Sequence, residues 1–315
     1  MELKYLSAQQ VNEKLDMKTC IGLMKDVFTA FAEDKMENKL RSVFPVDAGK
    51  IFGIMPAVIP TEDVCGAKLI TVFHSNHEKG LPSHLGIVAV FSNEDGQLQG
   101  ICDGTSITAI RTGAVSALAT DYMARKDSST MCLIGGGVQA DMHLKAITLV
   151  RDIKKVTVWC PTLAESEKFC DDHRKDYPDI QFVPCENCED AVKDADIINT
   201  VTPSPVPVLF GRWVKEGAHI NAVGACSKTT RELDSECVAK AKLFCDNYDS
   251  CRNEAGDYLF PLAEGLIDEN HLLGDLAEIV SGKISPRENE KDITMFESQG
   301  LACEDVVCAA WLLRQ

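Results

Sequence analysis

Basic residues are scarce and form no cluster. Lys and Arg number 32 against 48 Asp and Glu, a net charge of −16. So acidic a surface argues against nucleic acid or an anionic membrane as the main partner, because both ask for a positive field at the contact. It does not exclude a small anionic ligand, for which a few convergent cations suffice. Long apolar runs are missing as well, with none approaching the ~20 residues that span a bilayer. Residues 1–15 carry Glu2, Lys4 and Glu13 and hold no signal-type apolar stretch. The expectation is a cytoplasmic protein with no membrane partner. Its fourteen cysteines are then thiols rather than a disulfide framework. Most stand in apolar settings, such as Cys132 and Cys308, where a thiol packs as a small hydrophobe. Cys185 and Cys188 form one CxxC. A zinc site wants two such pairs or added His, so no metal is expected. Internal repeats and low-complexity linkers are absent too.

The chain of 315 residues suggests two domains at roughly 150 residues each. Residues 17–36 read as a helix: Cys20, Ile21, Met24, Val27, Phe28 and Phe31 recur at helical spacing, and Asp16 stands ready as N-cap. From about 43 to 101 the texture is β, with runs Lys68–Phe73 and Gly86–Phe91. The second run meets the turn signal Ser92–Gly96 and then Leu98–Ile101, which predicts a hairpin. Gly104 to Met123 turns helical. After Ser128 the pattern becomes α/β alternation: strands at Thr130–Ile134, Val156–Trp159, Ile180–Val183, Asp196–Val201, Ala218–Val223 and Lys242–Cys245, and helices at Val138–Val150 and Ala164–Lys175. Several strands lack polar alternation, as expected when helices cover both faces of a parallel sheet. Phe296–Leu313 reads as a loop followed by a helix that packs back on the first region. The fold class is therefore α/β: a doubly wound parallel Rossmann sheet at 115–290, plus a mixed α+β domain from 1–114 and 291–315.

Gly135-Gly136-Gly137-Val138-Gln139-Ala140 fits G-x-G-x-x-A, ending an apolar strand and opening a helix. Gly135 allows the tight turn, Gly137 lets the backbone approach a pyrophosphate, and Ala140 permits close helix–strand packing. The helix N-terminus offers its N–H groups to phosphates. The second strand, which often ends in an acid that holds the ribose 2′-OH, here ends Trp159-Cys160-Pro161-Thr162. With no acid to repel a 2′-phosphate, and with Thr162 able to donate to one, the reading leans to NADP(H) over NAD(H).

Three cations sit in the first region: Arg41, Lys68 and Arg111. Lys68 opens an apolar strand and Arg111 lies among small residues on a helix. Cations in such places are seldom buried unless paired. Either acids of the chain pair with them, or they snorkel to solvent, or a substrate carboxylate supplies the anion, with Arg offering a bidentate fork. The third reading needs the three to meet in one crevice. It is opposed if each is neutralised by its own neighbouring acid.

Together, GGGVQA, DGTSITAIRTGAVSALAT, NAVGACSKTTREL and FESQGLACED resemble the ornithine cyclodeaminase/mu-crystallin family. The resemblance runs from Arg41 to Asp305. It implies a homodimer, with the N-terminal region and C-terminal helix forming the dimerisation and substrate domain. It also implies a nicotinamide cofactor on the Rossmann domain, with the substrate beside it. By motif position Arg41, Lys68 and Arg111 match carboxylate-binding residues, and Ser83 matches a position where the family often has Thr. Thr112 matches a position near cofactor or substrate, while Thr200 and Thr202 match the loop passing the nicotinamide. Cyclodeaminases carry an acid/base Asp where this chain has Cys226, and the family's ketimine reductases lack that Asp. A thiol is a poor substitute for a carboxylate base, since at a pKa near 8.5 it is mostly protonated at neutrality. The expected function is NAD(P)H-dependent reduction of a small imino or ketimine carboxylate, with Lys68, Arg111 and Cys226 as the catalytic candidates. The alternatives are a cyclodeaminase with Glu254 or Asp257 replacing the Asp, an amino-acid dehydrogenase, and a non-catalytic NADPH- or ligand-binding protein. His84, beside Ser83, is a candidate proton donor grouped with His74 and His77. His143 and His219 read as structural.

Overall fold

The computed structural model describes residues 3–315, apart from the side chains of Glu37, His74, His77 and Glu78. In chain order the elements are β1 (Tyr5–Leu6), α1 (Ala8–Lys14), α2 (Met17–Ala32), β2 (Glu37–Asn38), β3 (Ser42–Asp47), β4 (Lys50–Ile59), β5 (Val64–Phe73), β6 (His84–Ser92), β7 (Leu98–Asp103) and α3 (Gly104–Met123). Next come β8 (Thr130–Ile134), α4 (Val138–Ile147), β9 (Lys155–Trp159), α5 (Leu163–Arg174), β10 (Gln181–Cys185), α6 (Cys188–Val192), β11 (Ile197–Thr200) and β12 (His219–Ala222). The chain ends with α7 (Ser235–Lys240), β13 (Lys242–Cys245), α8 (Tyr248–Glu254), α9 (Gly256–Ala263), β14 (Leu272–Asp275), α10 (Leu276–Val280), β15 (Thr294–Glu297) and α11 (Ala302–Arg314). Among the described residues no helix is long and apolar enough to cross a membrane.

Two compact units result: 1–114 with 300–315, and 115–299. The first is a seven-stranded mixed sheet, ordered β1-β7-β6-β5-β4-β2 with β3 on β4. Helix α11 lies across β4, β5 and β6 and against α2. Asp16 caps α2 as its sequence position predicts, its carboxylate accepting from the Thr19 N–H at 2.9 Å. The buried stripe Cys20, Met24, Val27 and Phe28 faces inward.

The second unit is an all-parallel eight-stranded sheet, ordered β10-β9-β8-β11-β12-β15-β13-β14. Strands such as β11 and β12 are buried at every position, the mark of a sheet covered on both faces. The order reverses between β8 and β11, the kind of switch point at whose carboxyl ends doubly wound sheets bind ligands. The architecture is thus α/β with a mixed second unit. His143 and His219 are buried and structural. The first bonds Gln139 O and Ser116 Oγ, the second Thr294 Oγ1 and Asn221 Oδ1. Burial pushes His143 down to about 4 and His219 to about 3, so both are neutral at pH 7.

One boundary differs from the sequence reading. Residues 291–299, assigned there to the first region and read partly as loop, belong with the parallel sheet. Thr294–Glu297 forms β15 and pairs with β12 and β13. Four residues carry too little periodicity to announce a strand, and the pairing is fixed by tertiary contacts. The chain leaves the sheet through Gly300, at φ +77°, before α11 begins.

Candidate active site

Within the first unit, Lys68 from β5, Arg111 from α3 and Arg41, which precedes β3, converge on the start of α11. Lys68 Nζ stands 2.7 Å from Asp305 Oδ2 and donates to Thr108 Oγ1 at 3.4 Å. Arg111 donates from Nε to Asp305 Oδ1 at 3.1 Å and from Nη1 to Glu304 Oε2 at 2.9 Å. Arg41 Nη2 donates to the Gly300 carbonyl at 3.0 Å. Lys68 is 1% exposed and Arg111 4%, so these contacts are sheltered from water. The three cations do meet. Two of them, however, share one acid of the protein, Asp305, and Arg111 also reaches Glu304. Lys68 has Asp305 beside it and Arg111 has Glu304 as well, so pairing by the chain's own acids, which counts against the carboxylate reading, is present for these two, while Arg41 meets a backbone carbonyl.

The electrostatics follow from burial. Loss of water pushes Lys68 down to about 8, and Arg111 and Arg41 push the same way, while Asp305 opposes them. Burial disfavours the Asp305 carboxylate, yet Arg111 and Lys68 hold it below the usual range. Lys68 is thus still the ammonium at neutrality, held by Asp305, but gives up its proton more readily than an exposed lysine.

Sequence reasoning missed Glu304, Asp305, Gly300 and Thr108. The signal for the acids was a charged pair in the first turn of an otherwise apolar helix. Gly300 is required twice. Its φ is positive, and a Cβ there would lie 2.4 Å from Arg111 Nη1. Two other candidates do not join the cluster through their contacts. Ser83 pairs with Phe73 at the far end of β5, and its hydroxyl engages His84 Nδ1 at 2.9 Å. Thr112 turns its hydroxyl onto the Thr108 carbonyl at 2.7 Å. His74 and His77 lie outside the described side chains.

In the second unit the fingerprint glycines follow β8. Gly135 has φ +111°. A Cβ at Gly136 would meet Cys160 Sγ at 2.7 Å, whereas a Cβ at Gly137 would project into open space. Ala140 is fully buried against the sheet and Val138 is 64% exposed at the helix start. Helix α4 begins at Gly137 without a side-chain cap, so its first N–H groups are available to a phosphate. Gln139 sits in this first turn, and its carbonyl is bonded to His143. This cradle fits the pyrophosphate of a dinucleotide.

Further along the sheet edge, Glu232 ties two loops together. Its carboxylate accepts from Thr202 N and Oγ1, both at 2.6 Å, and from Gly224 N at 2.7 Å. The Thr202 hydroxyl thus holds its own loop, and the Thr200 carbonyl accepts from Val223 and Gly224. Burial raises the Glu232 carboxyl, with these donors opposing. Asp257 accepts from the N–H groups of Glu232 and Leu233 at 2.9 and 2.7 Å, and burial beside Glu232 pushes it up to about 8. Cys226 is exposed and donates to Val223 O at 3.4 Å. Cys160 is buried, with its Sγ close to Gly136 of the fingerprint and its backbone N–H donating to Ser166 Oγ at 2.9 Å. Thr162 caps α5, and its hydroxyl donates to Glu165 Oε2 at 2.9 Å.

The model of the ornithine cyclodeaminase/mu-crystallin family matches residues 1–315. The chain belongs to that family. Among its members, the ketimine reductase mu-crystallin of Rattus norvegicus is 39% identical over 310 residues, covering 97% of this chain and 95% of that one. The Δ1-pyrroline-2-carboxylate reductase of Thermococcus litoralis, solved with NADH and L-proline, superposes with a TM-score of 0.95 at 36% identity, covering 98% of this chain and 96% of that one. An archaeal alanine dehydrogenase dimer with bound NAD gives 0.93 at 29% identity, covering 100% and 96%.

Gly300→Ala is expected to displace Arg111 and loosen the cluster. Thermal denaturation should show a loss of roughly 1–3 kcal/mol, and small carboxylates should bind more weakly. Unchanged stability and binding would contradict the packing described.

Proposed function

We propose that the protein is a reductase of small imino or cyclic ketimine carboxylates, such as pyrroline-2-carboxylate or piperideine-2-carboxylate, working with a nicotinamide cofactor. The observation that carries this is the convergence of Arg41, Lys68 and Arg111 around Asp305 in a chain of this family. Two relatives act on imines bearing a carboxylate or a ketimine group, by their names. A bound nicotinamide supplies the hydride. The chain's own residues bind and orient. The substrate carboxylate joins the cation cluster, where Arg111 offers guanidinium N–H groups and Lys68 a compact positive charge. Lys68 keeps its proton at Nζ up to about pH 8, so the anchoring charge is present at neutrality. An imine that arrives protonated needs no further acid, which suits a chain with Cys226 in place of an acidic residue.

The form of the cyclodeaminase alternative that relies on Asp257 is disfavoured, while Glu254 is not addressed by the Asp257 contacts. The Asp257 carboxyl is 1% exposed and accepts two backbone N–H groups, so it braces a loop rather than meeting a ligand. We also infer a homodimer. Val43, Phe44 and Val46 on β3, Val58 on β4, and Leu85 and Phe91 on β6 are all exposed. Val58 and Phe91 stand in register with Cys65 across β4, β5 and β6 and so share one face of the sheet. The reductase works in the soluble phase of the cytoplasm on this reading.

Purified protein should oxidise NADH or NADPH when given pyrroline- or piperideine-2-carboxylate. No turnover with any cyclic or open imino acid would overturn the reading. Arg111→Lys keeps the charge but loses the fork, and should raise KM about tenfold with a smaller change in kcat; an unchanged KM would reject the carboxylate assignment. Light scattering should give twice the chain mass, and Phe44→Asp should shift it toward the monomer. A monomeric wild type would refute the dimer.

A further inference from the structure

We propose that Glu165 sets the cofactor preference, favouring NAD(H) over NADP(H). This rests on the nicotinamide reading above. In a doubly wound sheet the adenosine ribose lies at the end of the strand that follows the glycine fingerprint, where an acid accepts from its hydroxyls. That strand here is β9, paired in parallel with β8. It runs out through Cys160-Pro161-Thr162 with no acid in the chain at that point. The structure supplies one from the next helix.

Thr162 is the N-cap of α5 and Glu165 the third residue of its first turn, and the two form a capping box. The Glu165 N–H donates to Thr162 Oγ1 at 3.4 Å. In return Glu165 Oε2 accepts from the Thr162 N–H at 3.1 Å and from its hydroxyl at 2.9 Å. The side chain is therefore folded back onto Thr162, three residues past the end of β9. Both residues are exposed, so a ligand can reach them.

Two consequences separate the cofactors. A 2′-phosphate would need the hydroxyl and N–H of Thr162 as donors, and both already point at a carboxylate. The phosphate would also stand against that carboxylate, like charge on like charge. A ribose 2′-OH, by contrast, is itself a donor, and Glu165 has lone pairs left to receive it. The absence of an acid in Trp159–Thr162 suggested the opposite preference; the capping box reverses it, because helix geometry returns residue 165 to residue 162.

The test uses the full chain, with Glu165→Gln as the variant. Gln still completes a capping box, so the helix start is kept while the charge is removed. Dissociation constants for NADH and NADPH are measured by nucleotide fluorescence, and adenosine 2′,5′-bisphosphate and AMP are compared as competitors of NADH. Imine reduction with each cofactor gives a second readout. The wild type is expected to bind NADH more tightly than NADPH. Glu165→Gln should move the ratio of the two constants toward NADPH by about tenfold, and strengthen the bisphosphate against AMP in parallel. A wild type that prefers NADPH, or a ratio unchanged in the variant while both nucleotides bind, would overturn the assignment of Glu165 and leave the cofactor reading standing. Binding of neither nucleotide would overturn both.

Discussion

Asp305 holds two buried cations at once, Lys68 from a strand and Arg111 from a helix, and the first unit is arranged around that shared carboxylate. Removing one partner of such a buried pair costs about 3–5 kcal/mol, because it strands a charge away from water. The geometry needs α11 to begin where it does. Its first turn carries Glu304 and Asp305, which also favours the positive end of the helix. Gly300, immediately before it, lets the chain turn while Arg111 passes close by. The C-terminal helix, far from the rest of the unit in sequence, is what completes the cluster.

The same cluster explains why the reading falls on a carboxylate and on reduction. Burial, with Arg111 and Arg41 adding to it and Asp305 opposing, lowers Lys68 to about 8. A substrate carboxylate supplies a partner of the right sign. At the parallel sheet, by contrast, the carboxyls engage the backbone. Glu232 and Asp257 brace the loops after β11 and β12.

Much of this was legible in the sequence. Thr130–Ile134 and Lys242–Cys245 are strands at the limits their apolar runs suggest, and Gly104–Met123 is one helix. The hairpin of β6 and β7 follows its turn signal, and Arg41, Lys68 and Arg111 were marked by their improbable settings. What escaped depends on distance along the chain. Asp305 and Lys68 are joined only by the fold, and no local pattern pairs an acid in one helix with a lysine in one strand. Strand β15 is four residues whose neighbours, β12 and β13, select it. Glu165 was hidden for a different reason. Its contact with Thr162 is made by the turn of the following helix, which the strand's own residues do not announce.

The most direct test of the central claim is to follow the titration of Lys68 by NMR of protein labelled at lysine, with and without saturating L-proline. The account predicts a midpoint at about 8 in the free protein, moved upward by roughly one pH unit or more when a carboxylate is bound. A midpoint at the ordinary lysine value, or one that a bound carboxylate leaves unmoved, would contradict it.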